Sequence, residues 1–123
     1  MFIAALMSLS AAVVADEATD EYKKLMQPAA AANVNLQKLV QTDLAAAAQA
    51  ATDGQAAFAK IEGFWTKRGT ADAIGFAKNM QAAMKEVHDA AAAGNKDATV
   101  AVAAKVVPTC GSFHMQHRTL LPD

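Results

Sequence analysis

The chain predicts an all-α fold, an antiparallel four-helix bundle, and three observations carry that expectation. Apolar residues recur at three- and four-residue steps in four successive segments, the pattern of one buried helix face. Alanine dominates the 54% apolar content while aromatics reach only 6%, and alanine combines the highest helix propensity with the smallest apolar side chain. Alternating or β-branched runs that would mark strands are missing. Short breaks between the segments favour antiparallel neighbours. The length of 123 residues suits one small domain.

The first stretch is read separately. Residues 2–15, FIAALMSLSAAVVA, are apolar and uncharged, and acidic residues begin at Asp16. Val13 and Ala15 are small enough for a signal-peptidase site, so 1–15 reads as a secretory signal peptide, although the usual positive leader charge is missing. At about 14 residues it is short for a membrane span. Its alternative is an apolar first helix of the bundle. The mature domain is then 16–123, secreted, with no membrane insertion after cleavage.

Helix 1 follows an acidic start at 16–21, with Asp16 or Thr19 as cap. Its stripe is Tyr22, Leu25, Met26, Ala29, Ala32, Leu36, Leu39 and Val40, and Pro28 should kink it near Lys24. Thr42 or Asp43 caps helix 2, whose stripe is Leu44, Ala48, Ala51, Phe58, Ile61 and Trp65. Gly54 is a weak point inside it. Lys67, Arg68 and Gly69 form a helix-ending signature. Helix 3 opens after Thr70 and buries Ala73, Phe76, Ala77, Met80, Met84, Val87 and Ala91. Gly94 ends it, and Asn95 or Asp97 caps helix 4. That helix carries Val100, Ala103, Val107, Cys110 and His114 on one side, with a second kink at Pro108.

Charge excludes some partners. The net charge is −1 with no long basic run, which argues against nucleic acid or an anionic membrane surface. No paired carboxylates, nucleophile–base arrangement or glycine-rich phosphate loop is present, so the chain does not read as an enzyme.

The chemistry concentrates in PTCGSFHMQHR, residues 108–118. It holds the only cysteine, Cys110, and two of the three histidines, His114 and His117. Cys110 and His114 are four apart, one turn along a helix face. Covalent haem attachment uses C-x-x-C-H, in which two thiols bond the haem and the histidine ligates iron. Here Phe113 stands in the second cysteine position, leaving C-x-x-x-H. Two other readings stay open: a buried thiol beside a non-ligating histidine, or a secreted bundle that has lost haem and binds a metal such as copper or zinc, or a protein partner, through Cys110, His114 and His117.

The ending VVPTCGSFHMQHR resembles the T-C-x-x-C-H-x-x-[FHY]-R close of the cytochrome c′ family. The segment Tyr22-Lys23-Lys24-Leu25-Met26 is similar to that family's early first helix. IEGFWTKRGTADAIGFAKNMQAAMKEV is similar to an alanine-rich subgroup of periplasmic haem proteins with F-W-x-x-R between helices 2 and 3. The resemblance spans about 16–118. It implies a periplasmic protein carrying haem c by a single thioether to Cys110, with His114 as proximal iron ligand and Arg118 near the haem edge or a propionate. Met26 is the candidate distal ligand. With Met26 bound the role is one-electron transfer to a redox partner protein that the sequence does not name; with Met26 unbound the open iron would take a small gas. The resemblance also leaves a homodimer open.

Overall fold

The computed structural model describes residues 2–110, with side chains described from residue 20. Four α-helices follow in order: α1 (Phe2–Leu39), α2 (Leu44–Arg68), α3 (Ala71–Ala92) and α4 (Lys96–Ala103). Among the described residues there is no strand, so the expected all-helical class holds. Each helix packs on the next in sequence, α1 on α2, α2 on α3 and α3 on α4. None of the helices among the described residues is long and apolar enough to cross a membrane.

The helix boundaries follow the capping chemistry. Of Thr42 and Asp43, Asp43 is the cap: its backbone is extended (φ −149°) and its carboxylate accepts the Ala46 N–H at 3.0 Å. Gly69 ends α2 at φ 68°, the left-handed conformation that costs glycine nothing. Thr70 precedes α3 without a side-chain cap bond. Gly94 turns at φ 74°, and Asn95 rather than Asp97 caps α4, its side chain accepting the Ala98 N–H at 3.1 Å.

Two expectations about helix ends change. No helix starts at Asp16 or Thr19: α1 runs through both from Phe2. Alanine-rich sequence on either side sustains one continuous helix. Pro28 also lies inside α1. It and Lys24 are both exposed, so the carbonyl that loses its partner to proline is on the water-facing side, where hydration replaces the missing bond.

The second change is in α4. The expected helix carried one stripe from Val100 to His114, kinked at Pro108. Instead the regular helix ends at Ala103, a turn occupies 104–105, and helical backbone resumes over 106–110. Pro108 explains the break, because it has no N–H for the Ala104 carbonyl and its ring crowds that turn. The Lys105 N–H bonds the Val102 carbonyl at 3.1 Å, a tighter turn. The face shifts as a result. Val106 is fully buried, while Val107, expected inside, is 52% exposed. Cys110 is four residues after Val106 and stays on the core side, half-buried.

The core itself follows the predicted stripes closely. Ala29, Ala32 and Leu36 come from α1, Val40 from the turn after it, and Ala73, Ala77, Met80, Met84, Val87 and Ala91 from α3. Polar ties cross the helices. Gln37 Nε2 donates to the Ala103 carbonyl at 2.9 Å, joining α1 to α4. Gln81 Nε2 donates to Glu62 Oε1 at 2.8 Å, joining α3 to α2. Gly54, flagged as a weak point, is buried against α3: a Cβ there would lie 3.0 Å from Met84 Sδ. A methyl group there would force the Met84 side chain to give by a few tenths of an ångström.

Candidate functional site

The last turn of α2 and the start of the described part of α1 build an aromatic cluster. Phe64 and Trp65 point inward with 2% and 3% exposure. Their rings meet edge-on, 5.0 Å apart at 90°. Tyr22 on α1 lies against both, at 5.3 Å from Phe64 and 5.4 Å from Trp65. Offset and edge-to-face pairs of this kind add about 0.5–1.5 kcal/mol each beyond area burial.

Arg68 sits on the outer side of this cluster. Its guanidinium carbon is 3.6 Å from the Phe64 ring centroid, a cation–π contact. Its Nη1 donates to the Phe64 carbonyl at 3.1 Å. The same carbonyl lies four residues back in the last turn of α2, where it is also the backbone acceptor for Arg68 in the helix. Glu21 lies 3.7 Å from Arg68 Nη2, longer than a charge-assisted hydrogen bond.

The Tyr22 hydroxyl is the odd group here. Its oxygen is buried and makes no hydrogen bond of good geometry among the described residues; the Trp65 side chain is a polar neighbour there, acting as a weak hydrogen-bond partner. Burial pushes the phenol up to about 12, outweighing the lowering effect of the nearby Trp65; a Cys110 thiolate would push the same way as burial. The phenol is therefore neutral at any physiological pH and available as a donor. Burial likewise raises the Cys110 thiol, against a smaller lowering from its own backbone. Cys110 is thus a protonated thiol rather than an activated nucleophile.

The sequence-expected site residues divide as follows. Cys110 reaches the electrostatic neighbourhood of Tyr22 and packs against the core. Met26 is half-buried against the core, one turn along α1 from Tyr22 and on the same face. His114, His117, Arg118 and Phe113 lie outside the described residues. His88 is remote in role: its Nδ1 is 3.0 Å from Asp89 Oδ1 on an exposed surface, where Lys85 also pairs with Asp89 at 2.8 Å. Among the described residues no three His, Cys, Asp or Glu side chains gather as a metal site.

The sequence pattern places Trp65 in the helix 2 stripe and gives Arg68 a helix-ending role, with no sign of the cluster they form with Tyr22. The i,i+4 spacing of Phe64 and Arg68 was the available signal, since it stacks the cation over the ring.

No family model, curated protein or solved structure matches the chain.

Two features of these residues are compatible with a haem group. A thiol and a thioether, Cys110 and Met26, come from different helices to the region of one aromatic cluster. A buried hydroxyl there has donor capacity that no described residue takes up.

Proposed function

We propose that the chain is a periplasmic haem-binding protein of the cytochrome c′ kind, an antiparallel four-helix bundle serving as a one-electron carrier rather than an enzyme. The observation that supports this most is the return of Cys110 to the Tyr22 side of α1, where Met26 also lies. Tyr22 meeting Phe64 and Trp65, and Gln81 meeting Glu62, pair late residues of one helix with early or middle residues of another, which supports the antiparallel arrangement.

In this reading Cys110 holds haem c through one thioether, His114 is the proximal ligand, Arg118 lies near the haem edge and Met26 is the distal ligand. Bound haem supplies a reversible one-electron couple whose potential follows axial ligation, burial and nearby charge. Phe64 and Trp65 exclude water from that region, which raises the weight of every charge near it. If Met26 does not ligate, the same site takes a small gas. The apolar stretch 2–15 directs secretion.

The test is an absorption spectrum of the protein expressed in a periplasm with haem-attachment machinery, followed by acid–acetone extraction. A Soret band that stays with the protein is the expected result. A band lost on extraction means haem held without the thioether. No band at all sinks the haem reading and favours the second one, which Phe113 motivates: a secreted bundle using Cys110, His114 and His117 for a metal or a protein partner. Haem uptake by Phe113→Cys alone would mark a chain that has lost its cofactor. Met26→Ala is expected to move the spectrum towards high spin.

A further inference from the structure

Arg68 is held in an unusual way for a surface cation. The Phe64 ring lies under it at 3.6 Å, and the Phe64 carbonyl fixes one of its nitrogens at 3.1 Å. With 29% of its side chain exposed, it has little of the rotamer freedom that makes exposed arginines poor anchors. A guanidinium presents five N–H donors in a fixed fork. Only one is committed to a hydrogen bond shown here, and the Glu21 carboxylate at 3.7 Å is too far for a bidentate pair. Tyr22, whose ring lies 5.3 Å from that of Phe64, has a buried hydroxyl with no acceptor among the described residues. A fixed fork of donors at the rim and an uncommitted donor inside therefore border the same aromatic cluster.

The geometry points to Arg68 as a positioning residue that receives a carboxylate of the porphyrin, with Glu21 as the internal carboxylate it exchanges for the ligand's. This rests on the haem reading above and adds to it a residue on α2. A carboxylate replacing Glu21 could take two parallel N–H bonds from the fork, which the present Glu21 position does not allow. The exchange moves no covalent bond and adds one negative charge at the rim, because the freed Glu21 carboxylate stays on α1.

The experiment titrates the full-length apo-protein with haem and, separately, with haem dimethyl ester, whose carboxylates are neutral. The only tryptophan, Trp65, is inside the cluster, so its fluorescence quenching reports binding alongside the Soret band. The wild type is expected to bind haem about tenfold more tightly than the ester, the scale of one partly buried charge-assisted pair. Arg68→Gln should remove that preference and leave ester binding unchanged. Arg68→Lys should keep part of it. Glu21→Gln should tighten haem binding a few-fold, with the gain vanishing in the Arg68→Gln background. Glu21→Gln also carries the test if Arg68→Gln does not fold by circular dichroism: unchanged or weaker haem binding in it overturns the proposal. Equal wild-type affinity for haem and ester overturns the Arg68 role and leaves the haem reading standing. So does an equal loss for both ligands in Arg68→Gln, which would be a structural effect. A wild type that binds neither ligand overturns both.

Discussion

The two halves of α2 are built from different material. Its N-terminal half buries Ala47, Ala50, Ala51 and Gly54; its C-terminal half buries Phe58, Ile61, Phe64 and Trp65. The small-residue half lets α3 approach until Met84 fills the space beside Gly54. Its polar groups are satisfied by the helix, and its packing leaves nothing over. The aromatic half meets Tyr22 and encloses a hydroxyl with no acceptor among the described residues. It also fixes Arg68 in place. Buried polar groups are normally paired, so a protein that satisfies one half of a helix and leaves a donor in the other is spending stability locally. The small half is close-packed, and the aromatic half holds the hydroxyl that the described residues leave unsatisfied.

The largest way to break this contrast is at Met84. It is completely buried and sits against Gly54. Truncation in a close-packed interior removes transfer energy and leaves a cavity, so Met84→Ala is expected to cost about 3 kcal/mol. Denaturant unfolding followed by circular dichroism measures it. A loss under about 1 kcal/mol would mean that the small half is loosely packed and that the contrast is not real.

How far the sequence disclosed these two halves depends on what each one rests on. The stripes of α1 and α3 were legible because periodicity reports burial directly: every predicted α3 position is buried except Phe76, which is half-buried. Gly54 looked like a defect because a contact 30 residues away along the chain, Met84, has no local signature. The α4 register was misread past Ala104 because the periodicity was extended through Pro108, and a proline's clash acts on the turn before it. Tyr22 was legible as a core position and not as an orphaned donor, since hydrogen-bond satisfaction belongs to tertiary structure. The haem expectation came from a short motif whose histidine is outside the described residues; its cysteine, Cys110, is half-buried against the core.

Alkaline pH sharpens the contrast from the other half. Tyr22 is the only tyrosine, and its phenol is raised from 10.0 to about 12 by burial. A raised pKa means the folded state holds its proton more tightly. The contribution is therefore intact below pH 10 and is lost as pH climbs from 10 towards 12. After discounting for part exposure, the extra loss across that window is about 1–2 kcal/mol. Ultraviolet titration of the single phenol should show a midpoint near 12 when folded and near 10 in denaturant. A folded midpoint near 10 would mean water reaches the hydroxyl, and the aromatic half would lose its distinction.

A smaller effect is expected for Gly54→Ala. Alanine gains up to about 1 kcal/mol in helix propensity, but its Cβ would lie 3.0 Å from Met84 Sδ and 3.1 Å from Met84 Cε. Met84 has no exposed side to move into, and overpacking of this kind costs about 1–3 kcal/mol. The net expectation is a loss of about 1 kcal/mol in thermal or denaturant unfolding. A gain would show that Met84 swings aside easily.

Tyr22→Phe is the smallest change and separates the halves most sharply. Elsewhere in a core, deleting a buried hydroxyl breaks a hydrogen bond and costs about 1 kcal/mol. Here the hydroxyl makes no hydrogen bond of good geometry among the described residues, while the ring keeps its neighbours Phe64 and Trp65. Removing it deletes a desolvation cost and leaves the packing in place. The apo-protein should be unchanged or up to about 1 kcal/mol more stable. The alkaline loss should disappear with it, because no phenol remains to titrate. A clear destabilisation at neutral pH would mean the hydroxyl already has an internal partner, and the aromatic half would then be as self-sufficient as the alanine half. A neutral or stabilised variant that binds haem less well would show what the unsatisfied donor is for.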